Sequence, residues 1–450
     1  METFVIKKGR NIPLKGAAKK EIVKTALPKY VGIQPSDFKG LNLRPIVQIG
    51  DKVKVGREML EDKANPEIRI ASPASGKVAA INRGDKRALQ SVIIETDGQQ
   101  DAEVFEKVSE ERISQISGEE AKKLLLQGHL WTAIRQRPFS KVANPKDNPK
   151  SIFVHAMSTE PLAMDIDFIL DNQFAAFQRG LNVLKKLTKG KVHLCVSSEA
   201  KSRTLTQTEG VQIHSFAGPH PAGNVSTHIH HVDPINKGDV VWYVEAQDVV
   251  RIARLFIDGV YSAERIVAVT GEGAQGYQNY AKTVFGVPVA HLLGGKVPEG
   301  MRCISGSILT GQDVGRDGFV RFYDSQVTII PEGGKREFLG WMSPGIKKYS
   351  FSNLFVSSFL PKKEISLDSD KHGSNRAIVL NSVYDSLVPL DIMTFFLLRA
   401  VLAKDIEEAE ALGILECDGE DFALCSFACP SKTNIGQIID QGLAFIQKEE

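Results

Sequence analysis

Short apolar runs broken by glycine and proline fill the first hundred residues, and longer runs with helical spacing follow. Thr3–Ile6, Pro45–Ile49 and Ser91–Glu95 lie between Gly and Pro punctuation and predict strands. Beyond residue 100 the pattern alternates. Glu119–Gln127 reads as a helix, Ser151–His155 as an apolar strand, and Asp165–Leu187 as a second helix. In that helix Ile166, Ile169, Leu170, Phe174, Phe177, Leu181, Leu184 and Leu187 fall largely on one face. Lys191–Val196 and Val240–Val244 predict strands, and Asp248–Ile257 a helix. Strands alternating with helices indicate an α/β layer arrangement. Arg265–Thr270 begins another strand-rich part, closed by an expected pair, Gln326–Ile330 and Arg336–Leu339, around Pro331-Glu332-Gly333-Gly334. Leu390–Leu402 and Ile406–Leu412 then predict helices, with Gly413 as a C-cap.

A chain of 450 residues exceeds one ordinary core. The changes of pattern divide it into residues 1–100, 101–255, 256–330 and 331–450, a multidomain α+β chain. Hydrophobic content of 42% with 24% charged residues describes a globular protein. A net charge of +2 gives no electrostatic footprint for nucleic acid. The most apolar window, Leu387–Leu402, contains Pro389, Asp391 and Arg399, so a buried helix is expected there and not a membrane span. The N-terminus has no apolar leader region, and five cysteines are an odd number spread over a long chain. Both features point to a reducing, cytosolic setting.

Several stretches carry candidate chemistry. Gly271-Glu272-Gly273-Ala274-Gln275-Gly276 follows a strand, as a dinucleotide fingerprint would. No helix follows directly, and a lysine stands about twenty positions on, so a hairpin turn is the expected reading. His214, His220, His228, His230 and His231 invite a metal. In an extended segment His228 and His230 would share a face. Only Asp233 offers a nearby carboxylate, which favours a polar loop and no metal. Cys425-Ser426-Phe427-Ala428-Cys429-Pro430 matches the last half of a bacterial ferredoxin run, but the two earlier thiolate positions are missing. No nucleophile–base pair has local support, so no catalytic residue is assigned.

Gly128-His129-Leu130-Trp131-Thr132-Ala133-Ile134-Arg135-Gln136-Arg137-Pro138-Phe139, followed by the strand that leads to Glu160-Pro161, occupies the place of a flavin-phosphate loop. The flavin subunit of respiratory complex I is glycine-rich there. Bulky side chains obstruct the close backbone N–H groups that a phosphate cradle needs. Trp131-Thr132-Ala133-x-Arg135-x-Arg137-Pro138-Phe139-Ser140-Lys141-Val142 resembles the alpha subunits of bacterial sodium-translocating NADH:quinone reductases. So do Gly218-Pro219-His220-Pro221-Ala222-Gly223, Thr227-His228-Ile229-His230, Phe338-Leu339-Gly340-Trp341 and Leu424-Cys425-Ser426-Phe427-x-Cys429-Pro430.

The resemblance implies a barrel-sandwich hybrid in 1–100 and a Rossmann-like domain lacking the flavin loop in 101–255. It implies a β-grasp domain in 256–330 and a hairpin plus helices in 331–450, the last akin to the iron–sulfur subunit of the Rnf complex without its ligands. Within the first unit, Glu61-Asp62-Lys63-Ala64 is similar to a lipoyl-lysine hairpin, with a solvated lysine as the other reading. The function implied is that of a peripheral subunit on the cytoplasmic face of the bacterial inner membrane. It would have no redox cofactor of its own, within a complex that uses NADH, flavins and ubiquinone and exports Na+. Its partners would be the other subunits, chiefly a membrane subunit, with ubiquinone contact open. Trp131, Arg135, Arg137, Phe139 and His220 are the candidate quinone or subunit interface. A free-standing flavin or NAD oxidoreductase is the alternative.

Overall fold

A seven-stranded sheet carries the middle of the chain. The computed structural model describes residues 2–334, 338–346, 348–360, 364–380 and 382–449. Across the sheet the strands run Glu2–Val5, Gln212–Ala217, Val192–Ser197, Ser151–Ala156, Val241–Glu245, Ile134–Arg137 and Lys141–Val142. The first five are parallel. Ile134–Arg137 is antiparallel to Val241–Val244. Ser151–Ala156 is buried along nearly its whole length, as a parallel strand covered on both faces must be. The helices Phe174–Leu184 and Ala246–Asp258 pack so closely that a Cβ on Gly180 would lie 2.1 Å from the Val249 carbonyl.

The helix expected over Asp165–Leu187 is two helices, Ile166–Leu170 and Phe174–Leu184. The Leu170 and Asp171 carbonyls accept the Thr204 hydroxyl at 2.7 and 3.3 Å where the first helix ends and the second begins. The histidine segment was expected to be a polar loop, and Val225–Val232 is helical. Asn224 precedes Val225–Val232, in which Val225, Ile229 and Val232 recur at helical spacing. His228 and His230 therefore point to different faces, one buried and one partly exposed.

Two sheets build the N-terminal unit. One runs Tyr30–Ile33, Leu89–Thr96, Gly76–Arg83 and Lys52–Val53; the other runs Leu43–Pro45, Glu58–Asp62 and Arg69–Ala71. Val31, Met59, Leu60, Ile70, Val78, Val92 and Ile94 share their core. The strand expected at Pro45–Ile49 ends at Pro45, and Ile49 is exposed. Residues before Tyr30 depart from this unit. Glu2–Val5 pairs with His214–Ala217, and Ile22–Lys24 pairs with Tyr280–Lys282. The chain's start thus stitches two later sheets together.

A six-stranded sheet follows, containing Glu264–Thr270, Tyr280–Val284, Met301–Ser305 and Gln326–Pro331. Glu264–Thr270 and Tyr280–Val284 are antiparallel, so the glycine run between them is a hairpin connection. Gly271 takes φ +93, and a Cβ there would sit 2.2 Å from the Ile329 carbonyl. The second strand of the expected pair, Arg336–Leu339, begins on residues outside the described ones. Gln326–Pro331 pairs with Met301–Ser305 on one edge and, over Gln326–Thr328, with Ala268–Thr270 on the other. Lys335–Glu337 lie outside the described residues, and Phe338-Leu339 is a turn.

Helices Thr394–Ala403, Ile406–Ala411, Ala423–Ala428 and Ile435–Glu449 enclose a core of Leu387, Leu397, Phe422, Cys425, Ile439 and Leu443. Gly413, at φ +90, stands just beyond the second of these helices. No described helix is long and apolar enough to cross a membrane.

Candidate functional site

In open α/β sheets, ligands sit outside the carboxyl ends of the strands where the strand order reverses. Here the chain passes from Ser151–Ala156 outward to Val192–Ser197 and Gln212–Ala217, then returns to place Val241–Glu245 on the other side. The switch point lies between His155 and Glu245, which are paired in register. The His155 Nδ1 lies 2.9 Å from Glu245 Oε2, and its Nε2 lies 2.6 Å from the Gly223 carbonyl. Two acceptors facing both ring nitrogens hold an imidazolium. Burial works against that charge, but the Glu245 carboxylate and these bonds push the His155 pKa up to about 9. Burial likewise opposes ionisation of Glu245, and the neighbouring His155 nevertheless holds it low.

The loop that brings Gly223 here has no room for a side chain. A Cβ on Gly223 would lie 2.6 Å from the Thr159 amide. Thr159 Oγ1 accepts the Gly223 N–H at 2.9 Å and lies 3.2 Å from His220 Nδ1. Donation of that hydroxyl to His220 leaves the imidazole neutral, in agreement with burial pushing its pKa down to about 4. Glu160 accepts from Ser307 at 2.9 Å and Thr310 at 2.5 Å, and burial raises its pKa despite both bonds. The Glu160-Pro161 corner therefore ties the seven-stranded sheet to the six-stranded one.

The displaced loop is built differently from the expectation. Trp131–Ala133 is a single 3-10 turn and Ile134–Arg137 a strand, paired on one edge with Val241–Val244 and on the other with Lys141–Val142. Its backbone N–H groups are committed to these ladders, so the residues do not fit a flavin phosphate. Trp131 is 1% exposed, stacks edge-on against Trp242 at 5.4 Å, and donates Nε1–H to the Ala143 carbonyl at 2.7 Å. Phe139 is buried in the C-terminal core, a different cluster. Arg135 lies between Tyr243 and Tyr323, at 4.9 and 4.7 Å from their ring centres.

Arg137 is 1% exposed and meets Glu420 at 2.6 Å and Asp418 at 3.4 Å. Asp418 also accepts the Ser140 hydroxyl at 2.9 Å, and Asp421 accepts from the Asn224 amide at 3.0 Å. Burial would raise Asp418, but Arg137 and Lys39 hold it low; burial and then Glu420 raise Asp421.

Of the candidate interface residues, Trp131, Arg137, Phe139 and His220 are buried within the chain and Arg135 is half-buried. Arg137 and Phe139 join the C-terminal unit to the seven-stranded sheet, whereas Trp131 packs on Trp242 and His220 on Thr159. His230–Glu416 at 2.6 Å and Lys237–Glu410 at 2.5 Å continue the same junction. Sequence reasoning missed His155, Glu245 and the acids Asp418, Glu420 and Asp421. The available signal was His155 at the end of the strand leading to Glu160-Pro161.

Elsewhere, a cavity bounded by Ile33, Phe38, Ile70, Tyr261 and Phe285 measures about 20 Å³, room for one water. No group of three metal-ligating side chains occurs among the described residues. Cys425 and Cys429 are buried in the C-terminal core, and Cys429 Sγ lies 3.0 Å from the Tyr384 hydroxyl. Lys63 is exposed on the bend after Glu58–Asp62, where Asp62 accepts from the Asn42 and Asn65 amides.

These features define a multidomain mixed α/β chain with a His155–Glu245 pair at the switch point of its seven-stranded sheet. The family described as "NqrA N-terminal barrel-sandwich hybrid domain" matches residues 4–97, and "NqrA second alpha/beta domain" matches 116–261. The chain is 41% identical over 446 residues to the alpha subunit of the Na(+)-translocating NADH-quinone reductase of Yersinia pseudotuberculosis, covering 99% of each chain. Its counterpart from Pasteurella multocida is 40% identical over 448 residues, covering 99% of this chain and 100% of the other. That of Neisseria meningitidis is 39% identical over 446 residues, with 99% coverage of both. The chain belongs to the family of Na+-translocating NADH-quinone reductase alpha subunits. A NAD+-reducing [NiFe]-hydrogenase aligns at 13% identity over 76% of this chain and 61% of its own, with a TM-score of 0.36.

Proposed function

We propose that this chain is the peripheral alpha subunit of a bacterial Na+-translocating NADH:ubiquinone reductase, docked on membrane subunits from the cytoplasm and lacking a redox cofactor of its own. In this reading NADH oxidation, the flavins and Na+ movement belong to its partners, and the chain docks near the quinone. Collinear identity of 41% along 99% of the chain supports the family role. The single observation supporting a cofactor-free role is the pairing of both edges of Ile134–Arg137, where a phosphate cradle would need free N–H groups. We read the seven-stranded part as a Rossmann-like domain, the six-stranded part as a β-grasp variant, and the remainder as a helical C-terminal domain.

Purification in mild detergent tests this reading. The chain is expected to co-purify with membrane proteins that oxidise NADH, and to be colourless when isolated. Stoichiometric flavin absorbance, or NADH oxidation by the isolated chain, would establish the free-standing oxidoreductase instead.

A further inference from the structure

The helix Thr394–Ala403 is almost wholly apolar, and its only charged residue is Arg399. Leu397, Leu398 and Ala400 lie in the C-terminal core. Val401 packs so closely on the helix Ile435–Glu449 that a Cβ on Gly442 would lie 2.8 Å from it. A helix without a polar face is ordinarily covered on all sides. Here the outer side carries Met393, Phe396, Arg399 and Leu402, three apart along one ridge, and all four are exposed. Met393 is 57% exposed, Phe396 50% and Leu402 56%. A row of solvated apolar side chains of this kind marks a contact surface.

The ridge is complementary to itself. Asp391 stands before it and Lys404 after it, both exposed. A two-fold axis midway between Phe396 and Arg399 sets two such ridges antiparallel. Phe396 of each copy then faces Arg399 of the other, Met393 faces Leu402, and Asp391 faces Lys404. A guanidinium over a phenyl ring is attracted by the ring's quadrupole. The next pair is apolar, and the outermost carries opposite charges. Each contact occurs twice, as a closed two-fold interface requires. A parallel pairing in register would instead set Arg399 against Arg399. An anionic bilayer is disfavoured by the neighbouring helix Ile406–Ala411, whose Glu407 and Glu408 are exposed.

We propose that two copies of this chain associate through their Thr394–Ala403 helices, antiparallel across a two-fold axis between Phe396 and Arg399. One helix pair buries less than the roughly 1,200–2,000 Å² of a stable interface, so the dimer dissociates on dilution in the micromolar range. The association belongs to the chain itself and goes beyond docking on membrane subunits. Its failure would leave the subunit reading untouched, because that reading is judged by co-purification.

The experiment is sedimentation velocity of the purified full chain from about 1 to about 100 μM. The chain is expected to pass from monomer to dimer across that range. Phe396→Arg places two cations opposite each other and should raise the dissociation constant at least about tenfold. Adding Arg399→Glu to that variant puts opposite charges back across the axis and should return the dimer. Both variants should melt as the parent does, because the two side chains are already solvated. The proposal is overturned if the chain stays monomeric at the highest concentration, or if Phe396→Arg dimerises as the parent does. It is overturned equally if the double variant stays monomeric. A monomeric chain whose Phe396→Arg variant fails to join the membrane subunits would likewise overturn it and assign the face to another subunit.

Discussion

Arg137 Nη2 lies 2.6 Å from Glu420 Oε1, although 283 residues separate them. Arg137 is fully buried, so its charge is compensated by chain that arrives only at the far C-terminus. A cation on a strand of one sheet and acids on a helical unit are thereby made mutually dependent. Removing one partner of such a pair leaves an uncompensated charge.

Arg137→Ala should therefore destabilise the isolated chain by about 3–5 kcal/mol, measured by denaturant unfolding. Arg137→Met, which fills the space without a charge but still strands Asp418, should fall between Ala and the parent. Limited proteolysis should cut first between the sheet unit and the C-terminal helices. Equal stability of all three proteins would show that the pair does not hold the junction.

Trp131→Ala should cost about 3–5 kcal/mol of stability in the free chain, since it removes an indole packed on Trp242 and a buried bond to Ala143. Phe139→Ala should cost a similar amount through the separate C-terminal core. Thermal melting of the free chain beside assembly of the complex separates this from a docking role. Normal melting with failed assembly would restore an interface function.

The His155–Glu245 pair predicts a pH optimum. His155 is raised to about 9, so its contribution is complete below the ordinary value of 6.5 and is lost as pH rises through 9. Glu245 is lowered, so its contribution is present above the ordinary 4.5 and is lost as pH falls through its folded value. His193 and His220, each pushed by burial to about 4, oppose folding as pH drops below 6.5. Stability should peak near the upper part of the window between 4.5 and 6.5. His155→Gln should lose on the order of 3 kcal/mol near neutral pH and flatten the decline toward alkaline pH. Denaturant midpoints across that range measure it, and an unchanged alkaline slope would defeat the assignment.

Cys425→Ser places a hydroxyl in an apolar core and should cost about 1–3 kcal/mol. Cys429→Ser should cost less, because Tyr384 already faces that sulfur with a hydroxyl. Neither should change the visible or paramagnetic spectrum of the assembled complex. Loss of an iron–sulfur signal in either variant would reverse the reading of the C-terminal run.

The apolar strands and the long amphipathic helix at Ala246–Asp258 were legible because each is specified by spacing within a short window. The hairpin nature of Gly271–Gly276 was legible for the same reason, since what followed it was strand-like. The family was legible from motifs in order along the chain. Burial was harder to read. Trp131, Arg137, Phe139 and His220 look like contact residues by composition, because large aromatics and arginines occur both at interfaces and in satisfied interiors. Helix against loop at His228–His230 turned on the burial of Val225 and Ile229, which a two-residue histidine spacing does not reveal.

What the sequence by itself determined is local: the period of each element, the turns forced by glycine, and the family motifs. Tertiary structure alone decided that Glu2–Val5 and Ile22–Lys24 serve two later sheets, and that His155 finds Glu245. It also decided that Arg137 finds Glu420. Each of these pairs spans tens to hundreds of residues, and its energy exists only once the chain between has closed, so no window of sequence contains it.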